Sequence, residues 1–221
     1  MDRHAAKPRN VTALTFDITD STTALPPRML VDTNVWLLSQ YSPFSLGNRQ
    51  AVAVVYTDFL ARCLEEGCQL VRSPFTLPEV THVIEKAESV AVQQRGGKMD
   101  LKQLRWEPNH RRKVIAEIVA TWQQVQGMSV WSPGLTVDGN VGDQMLVDFR
   151  NRKIDGYDLL IVQEALQGGG LPILTDDFDY LSVPMLKVYT ANERAVNAAK
   201  VGGKLRTGVT NQGNARQVSQ A

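Results

Sequence analysis

GYDLLIVQEALQGGGLPILTDDFDYL, residues 156–181, holds a helix, its stop, a strand and a run of acids in one continuous stretch. The apolar residues of 156–167 recur at helical spacing, and three consecutive glycines cannot sustain the helix. LPILT (171–175) then reads as a short buried strand, and Asp176, Asp177 and Asp179 follow at once. Turn chemistry explains one or two of these acids, since Asp caps helices and tolerates turn geometry. A third asks for another role.

The same rhythm extends outward. RMLV (28–31), QLVR (69–72) and LKVYT (186–190) also read as strands, and RQAVAVVYTDFLARCLEEG (49–67) as a helix ending on glycine. Strands alternating with helices predict an α/β fold on a central, doubly wound parallel sheet. Residues 1–27 form an N-terminal extension in which VTALTF is a candidate edge strand or docked arm. The main domain runs over 28–200, with a helical insertion at about 89–140. Residues 201–221, with Lys204, Arg206 and Arg216 but no acid, read as a flexible basic tail.

The chain of 221 residues is 43% hydrophobic, enough to fill a large core. Lys and Arg number 24 against 23 Asp and Glu, so no global field draws the chain to nucleic acid or membrane. Cys63 and Cys68 lack the spacing of a zinc knuckle and are expected to be core thiols in a reducing compartment. No apolar run approaches a membrane span and no signal-peptide pattern opens the chain, which makes the cytoplasm the expected location.

Ligands of open parallel sheets bind beyond the carboxyl ends of the strands. Asp32 stands directly after the first predicted core strand, followed by Thr33 and Asn34, and Glu79 lies in the helix after the second. Asp158 opens the helix before the third, with Asp177 and Asp179 just past it. Singly, each has a structural reading: Thr76-x-x-Glu79 fits a capping box, Asp155 an N-cap, Asp158 a favourable first-turn acid and Asp177 a turn cap. Together they aim carboxylates from four distant elements at one edge. Two unit charges about 4 Å apart repel by roughly 4 kcal/mol at an effective dielectric near 20. A converging set therefore requires a counter-ion or raised pKa values. All-oxygen ligands select Mg²⁺ or Mn²⁺, which activate water and neutralise a phosphoryl group.

MLVDTNVWL, TLPEV and YDLLIVQEALQGGGLPILTDDFDYL, in this order, resemble the PIN-domain ribonucleases, among which are the VapC toxins of toxin–antitoxin pairs. The resemblance implies a three-layer α/β/α fold and a Mg²⁺- or Mn²⁺-dependent endoribonuclease cleaving RNA. By motif, Asp32, Glu79, Asp158 and Asp177 are its catalytic acids and metal ligands, Asp179 is an auxiliary ligand, and Asn34 and Thr175 are supporting polar residues. The match is loose over 28–87 and close over 154–191. An antitoxin-like inhibitor and a homodimer are further implied partners.

Arg150, Arg152 and Lys153 precede the third motif and are candidates for RNA phosphate contact. KMDLKQLRWEPNHRRKV (98–114) carries six basic residues with Trp106 and His110, and reads first as a solvated helix face, second as an RNA-binding surface. Two alternatives stand beside the nuclease. One is a non-catalytic PIN-like module binding RNA or protein. The other, a haloacid dehalogenase-type phosphatase, is disfavoured by Asn34 in place of a second Asp and by the lack of a Lys in 168–174.

Overall fold

The computed structural model of the chain describes residues 11–97, 99–152 and 154–207. Its first strand, β1 (Leu14–Asp17), lies in the extension; β2 (Arg28–Val31) then leads into helix α1 (Thr33–Gln40). A short α2 (Ser42–Ser45) and the long α3 (Gln50–Glu65) precede β3 (Gln69–Arg72), and α4 (Thr76–Gln94) follows. Next come α5 (Leu101–Trp106), α6 (Pro108–Met128), β4 (Val130–Trp131) and α7 (Gly139–Asn151). The chain continues with α8 (Gly156–Gln167), β5 (Ile173–Leu174), a 3₁₀ turn (Phe178–Ser182), β6 (Lys187–Thr190), α9 (Glu193–Val201) and β7 (Leu205–Arg206).

The strands form one all-parallel sheet in the order β4-β3-β2-β5-β6-β1-β7. Such a sheet must be covered on both faces, and the side-chain alternation of its strands shows how. Met29, Val31, Leu70, Leu174 and Tyr189 pack with α1, α3 and Val125 of α6. Their neighbours Leu30, Val71, Ile173 and Val188 point the other way, onto α8 and onto Ala195 and Ala199 of α9. Helices thus lie on both faces of the sheet. Cys63 and Cys68 are free and buried in the first of these cores.

Three features depart from the sequence reading. VTALTF supplies not an edge strand but β1, held between β6 and β7, so residues on either side of the predicted domain boundaries complete the sheet. Helix α4 crosses the expected start of the insertion near residue 89 and runs on to Gln94, with Val80 and Ile84 packed with Leu37, Leu104 and Val114. The region read as an insertion also contributes β4, one edge of the sheet. The glycines after α8 do stop it: Gly169 and Gly170 take positive φ of 85° and 77°, and the amides of Gly170 and Leu171 both return to Ala165 O. Residues 208–221 of the predicted tail lie outside the described residues. Among the described residues no helix is long and apolar enough to cross a membrane.

Candidate active site

Strand order places the site. From β2 the chain moves outward through β3 to β4, then returns to lay β5 on the other side of β2. The two strands flank a topological switch point, where a crevice opens beyond their carboxyl ends. Asp32 leaves β2 there and Thr175 leaves β5. The Asp32 amide donates to Leu174 O at 3.0 Å, locking the two strand ends together.

Asp32 is the N-cap of α1 and almost fully buried at 2% exposure. Its Oδ1 accepts from the Thr33 amide (2.7 Å) and its Oδ2 from the Thr175 hydroxyl (2.7 Å). Thr175 Oγ1 in turn accepts from Asn34 Nδ2 (3.3 Å) and from the Asp177 amide (3.0 Å). Asn34 Oδ1 takes the Asp176 amide at 3.2 Å. Asn34 and Thr175 are therefore the brace between the first and last acidic motifs. Asp177 caps the 3₁₀ turn by accepting the Asp179 amide (2.8 Å).

Asp158 enters from α8, whose N-cap Asp155 accepts the Asp158 amide (3.0 Å). The buried Tyr180 hydroxyl donates to Asp158 Oδ1 at 2.8 Å. Glu79 enters from the first turn of α4, but not as part of a capping box. The N-cap is Phe75, which makes no side-chain cap bond, and Thr76 Oγ1 is buried without a partner. Glu79 Oε2 is also a buried atom with no hydrogen-bond partner, as is Thr33 Oγ1 nearby.

These acids act on one another. Burial lifts the Asp32 carboxyl well above the usual range, and Asp158 and Glu79 add repulsion that the Thr175 and Thr33 donors only partly offset. Burial raises Asp158 to about 7, helped by Asp155, Asp177 and Glu79 and opposed by the Tyr180 hydrogen bond. Glu79 is raised chiefly by burial and further by Asp155. Hydroxyls and amides, with no lysine or arginine among these causes, thus surround three mutually repelling carboxyls. Among the described residues no group of three or more His, Cys, Asp or Glu is drawn close enough to hold a metal ion as the side chains stand.

The predicted phosphate contacts separate. Arg150 is exposed at the end of α7. Arg152 is instead an internal strut: its Nε meets Asp148 Oδ1 (2.7 Å) and its Nη1 meets Ser182 O (2.7 Å). The buried Asp148 draws it in, because an unpaired carboxylate there would be costly. Lys153 lies outside the described residues. In the 98–114 segment, Arg105 and Arg111 bind Glu85, and His110 and Lys113 bind Glu88, so these cations serve α4 and not an open face.

Sequence reasoning missed Tyr180 and Tyr56. The Tyr56 hydroxyl sits between Thr175 O (2.9 Å) and Asp176 Oδ1 (3.1 Å) and accepts the Ala191 amide (3.0 Å). A tyrosine that props a loop from 119 positions away leaves no local pattern to find. Comparison with models of known families, with curated proteins and with solved structures returns no match to this chain.

Proposed function

We propose that the chain is a PIN-like, metal-dependent ribonuclease whose acids Asp32, Glu79, Asp158 and Asp177 surround the scissile phosphate. The observation that carries this reading is the junction of Asp32, Asn34 and Thr175 at the switch point, with Asp158 and Glu79 pressing their charge on Asp32 from α8 and α4. Buried carboxyls that repel, with no cation among the causes acting on them, are costly to a fold and are retained where they serve chemistry.

The donor set suits Mg²⁺ or Mn²⁺: it is all oxygen, and Glu79 Oε2 is a buried acceptor left without a donor. Asp32, Glu79, Asp158 and Asp177 would hold the ion, with Asp179 beside them. When bound, it supplies an acidified water and charge neutralisation at the phosphoryl group. The chain's own residues set the stage. Thr175 and the Thr33 amide favour the ionised form of Asp32, Tyr180 fixes the rotamer of Asp158, and Asn34 ties the 175–177 loop to α1.

A second reading is a non-catalytic module with the same fold, favoured by one observation: among the described residues no group of three or more His, Cys, Asp or Glu is placed to hold a metal ion. The deciding experiment incubates mixed structured RNAs with wild type and Asp177→Asn, purified in parallel, in Mn²⁺ and in EDTA. Cleavage by wild type alone, and only with Mn²⁺, is the expected result. Equal cleavage by both proteins sinks the assignment, and cleavage by neither favours the binding module.

A further inference from the structure

At the far edge of the sheet, Arg72 and Trp131 are register partners at the carboxyl ends of β3 and β4. The Arg72 guanidinium lies 4.3 Å from the Trp131 ring centroid and 5.7 Å from that of Trp122 on α6. The two indoles are 5.7 Å apart and tilted by 50°. Arg72 is 94% buried by its 6% exposure, yet makes no ion pair among the described residues. Its Nη1 is spent on Ser129 O and Oγ, and its Nε is buried without a partner. Burial pushes the guanidinium pKa down, with no carboxylate pushing back. A cation this deep, held by rings and a carbonyl, rigidifies the ring above it. That ring is nevertheless 49% exposed, on a two-residue edge strand.

We propose that Trp131, backed by Arg72 and Trp122, is a stacking platform for a nucleobase of single-stranded RNA, next to the acidic site. The inference rests on the nuclease reading. Two strand spacings, roughly 10 Å, separate the ends of β4 and β2 along the same edge, close enough for one RNA strand to reach both. Stacking on an exposed indole tolerates any base, so the platform selects unpaired strand over duplex and not one sequence over another. The positive charge behind the ring suits a polyanion and disfavours a purely apolar protein partner.

The test is binding of a fluorescein-labelled ten-nucleotide oligoadenylate in EDTA, by anisotropy, to wild type, Trp131→Ala and Trp131→Phe. The expected result is a Kd raised about tenfold in Trp131→Ala and largely recovered in Trp131→Phe. The loss persists from low to high salt, because stacking releases no counterions and leaves the slope of log K against log salt unchanged. Wild-type-like affinity of a folded Trp131→Ala overturns the platform while leaving the nuclease reading intact. Loss of affinity that Phe does not restore, or a change of oligomeric state in Trp131→Ala by sedimentation, overturns it in favour of a structural or self-association role. Failure of wild type both to bind the oligonucleotide and to cleave RNA removes the two readings together.

Discussion

Two sets of buried acids in this molecule are solved in opposite ways. On α4, Glu85 faces Arg105 and Arg111, and Glu88 faces His110 and Lys113. The Arg105 hydrogen bond holds the Glu85 carboxyl below its usual value; for Glu88, burial works upward but Lys113 and His110 outweigh it. At the carboxyl edge of the sheet, Asp32, Asp158 and Glu79 meet hydroxyls, amides and one another, and all three are raised. The first set has its counter-ions built in. For the second, no lysine or arginine among the described residues is among the causes acting on these three acids.

The strongest way to break this contrast is Asp32→Asn. Removing a buried, repelled charge should leave the melting temperature unchanged or higher, while RNA cleavage in Mn²⁺ falls by about 10²–10⁴-fold. A variant that melts early and still cleaves would make Asp32 a structural cap.

pH separates the two sets by sign. The folded state holds a proton on Asp158 up to about pH 7, whereas the unfolded chain releases it near 3.8. Stability therefore falls as pH rises through that window, by on the order of 2–4 kcal/mol. Glu85 and Glu88 are depressed, so their contribution is complete above about 4.5 and is lost as pH falls through their lower folded values. Melting in EDTA should accordingly peak near pH 5, and Asp158→Asn should flatten the decline above it. A melting temperature that climbs steadily from pH 5 to 8 would contradict the assignment.

Among paired acids, Arg152→Ala strands the buried Asp148 with Gln163 alone and should cost about 2 kcal/mol in urea unfolding, without changing RNA affinity. Glu85→Gln leaves two half-exposed arginines that can turn to solvent; about 1 kcal/mol, or a fall of roughly 2–4 °C in melting, is expected with cleavage untouched. The smallest effect belongs to Arg150→Ala. It should leave stability alone and lower the salt slope of RNA binding by about one, and an unchanged slope would remove Arg150 from the RNA surface.

Much of this was legible beforehand, for local reasons. The acids after β2 and β5, the cap at Asp155 and the glycine stop of α8 depend on strand ends, capping and φ alone. The capping box at Thr76 and Glu79 was equally legible and did not form, because the turn at Ser73–Phe75 starts α4 one residue early. Serine 73 is drawn away, its hydroxyl donating to the buried Glu164 and accepting the Phe75 amide. The basic run at 98–114 could be read only as a face until Glu85 and Glu88 stood opposite it.

The linear pattern of this protein determined its alternation of strands and helices, its parallel sheet and the chain positions where carboxylates leave the strands, because periodicity and turn chemistry act over a few residues. Tertiary structure decided which acids are raised by burial and repulsion and which are held down by cations, that Arg152 is a strut, and that β1 joins the sheet between β6 and β7. Those outcomes depend on burial and on partners far apart in sequence, 143 positions for Thr175 and Asp32 and more for β1 and β7, and charge is stabilised or stranded by what surrounds it in space.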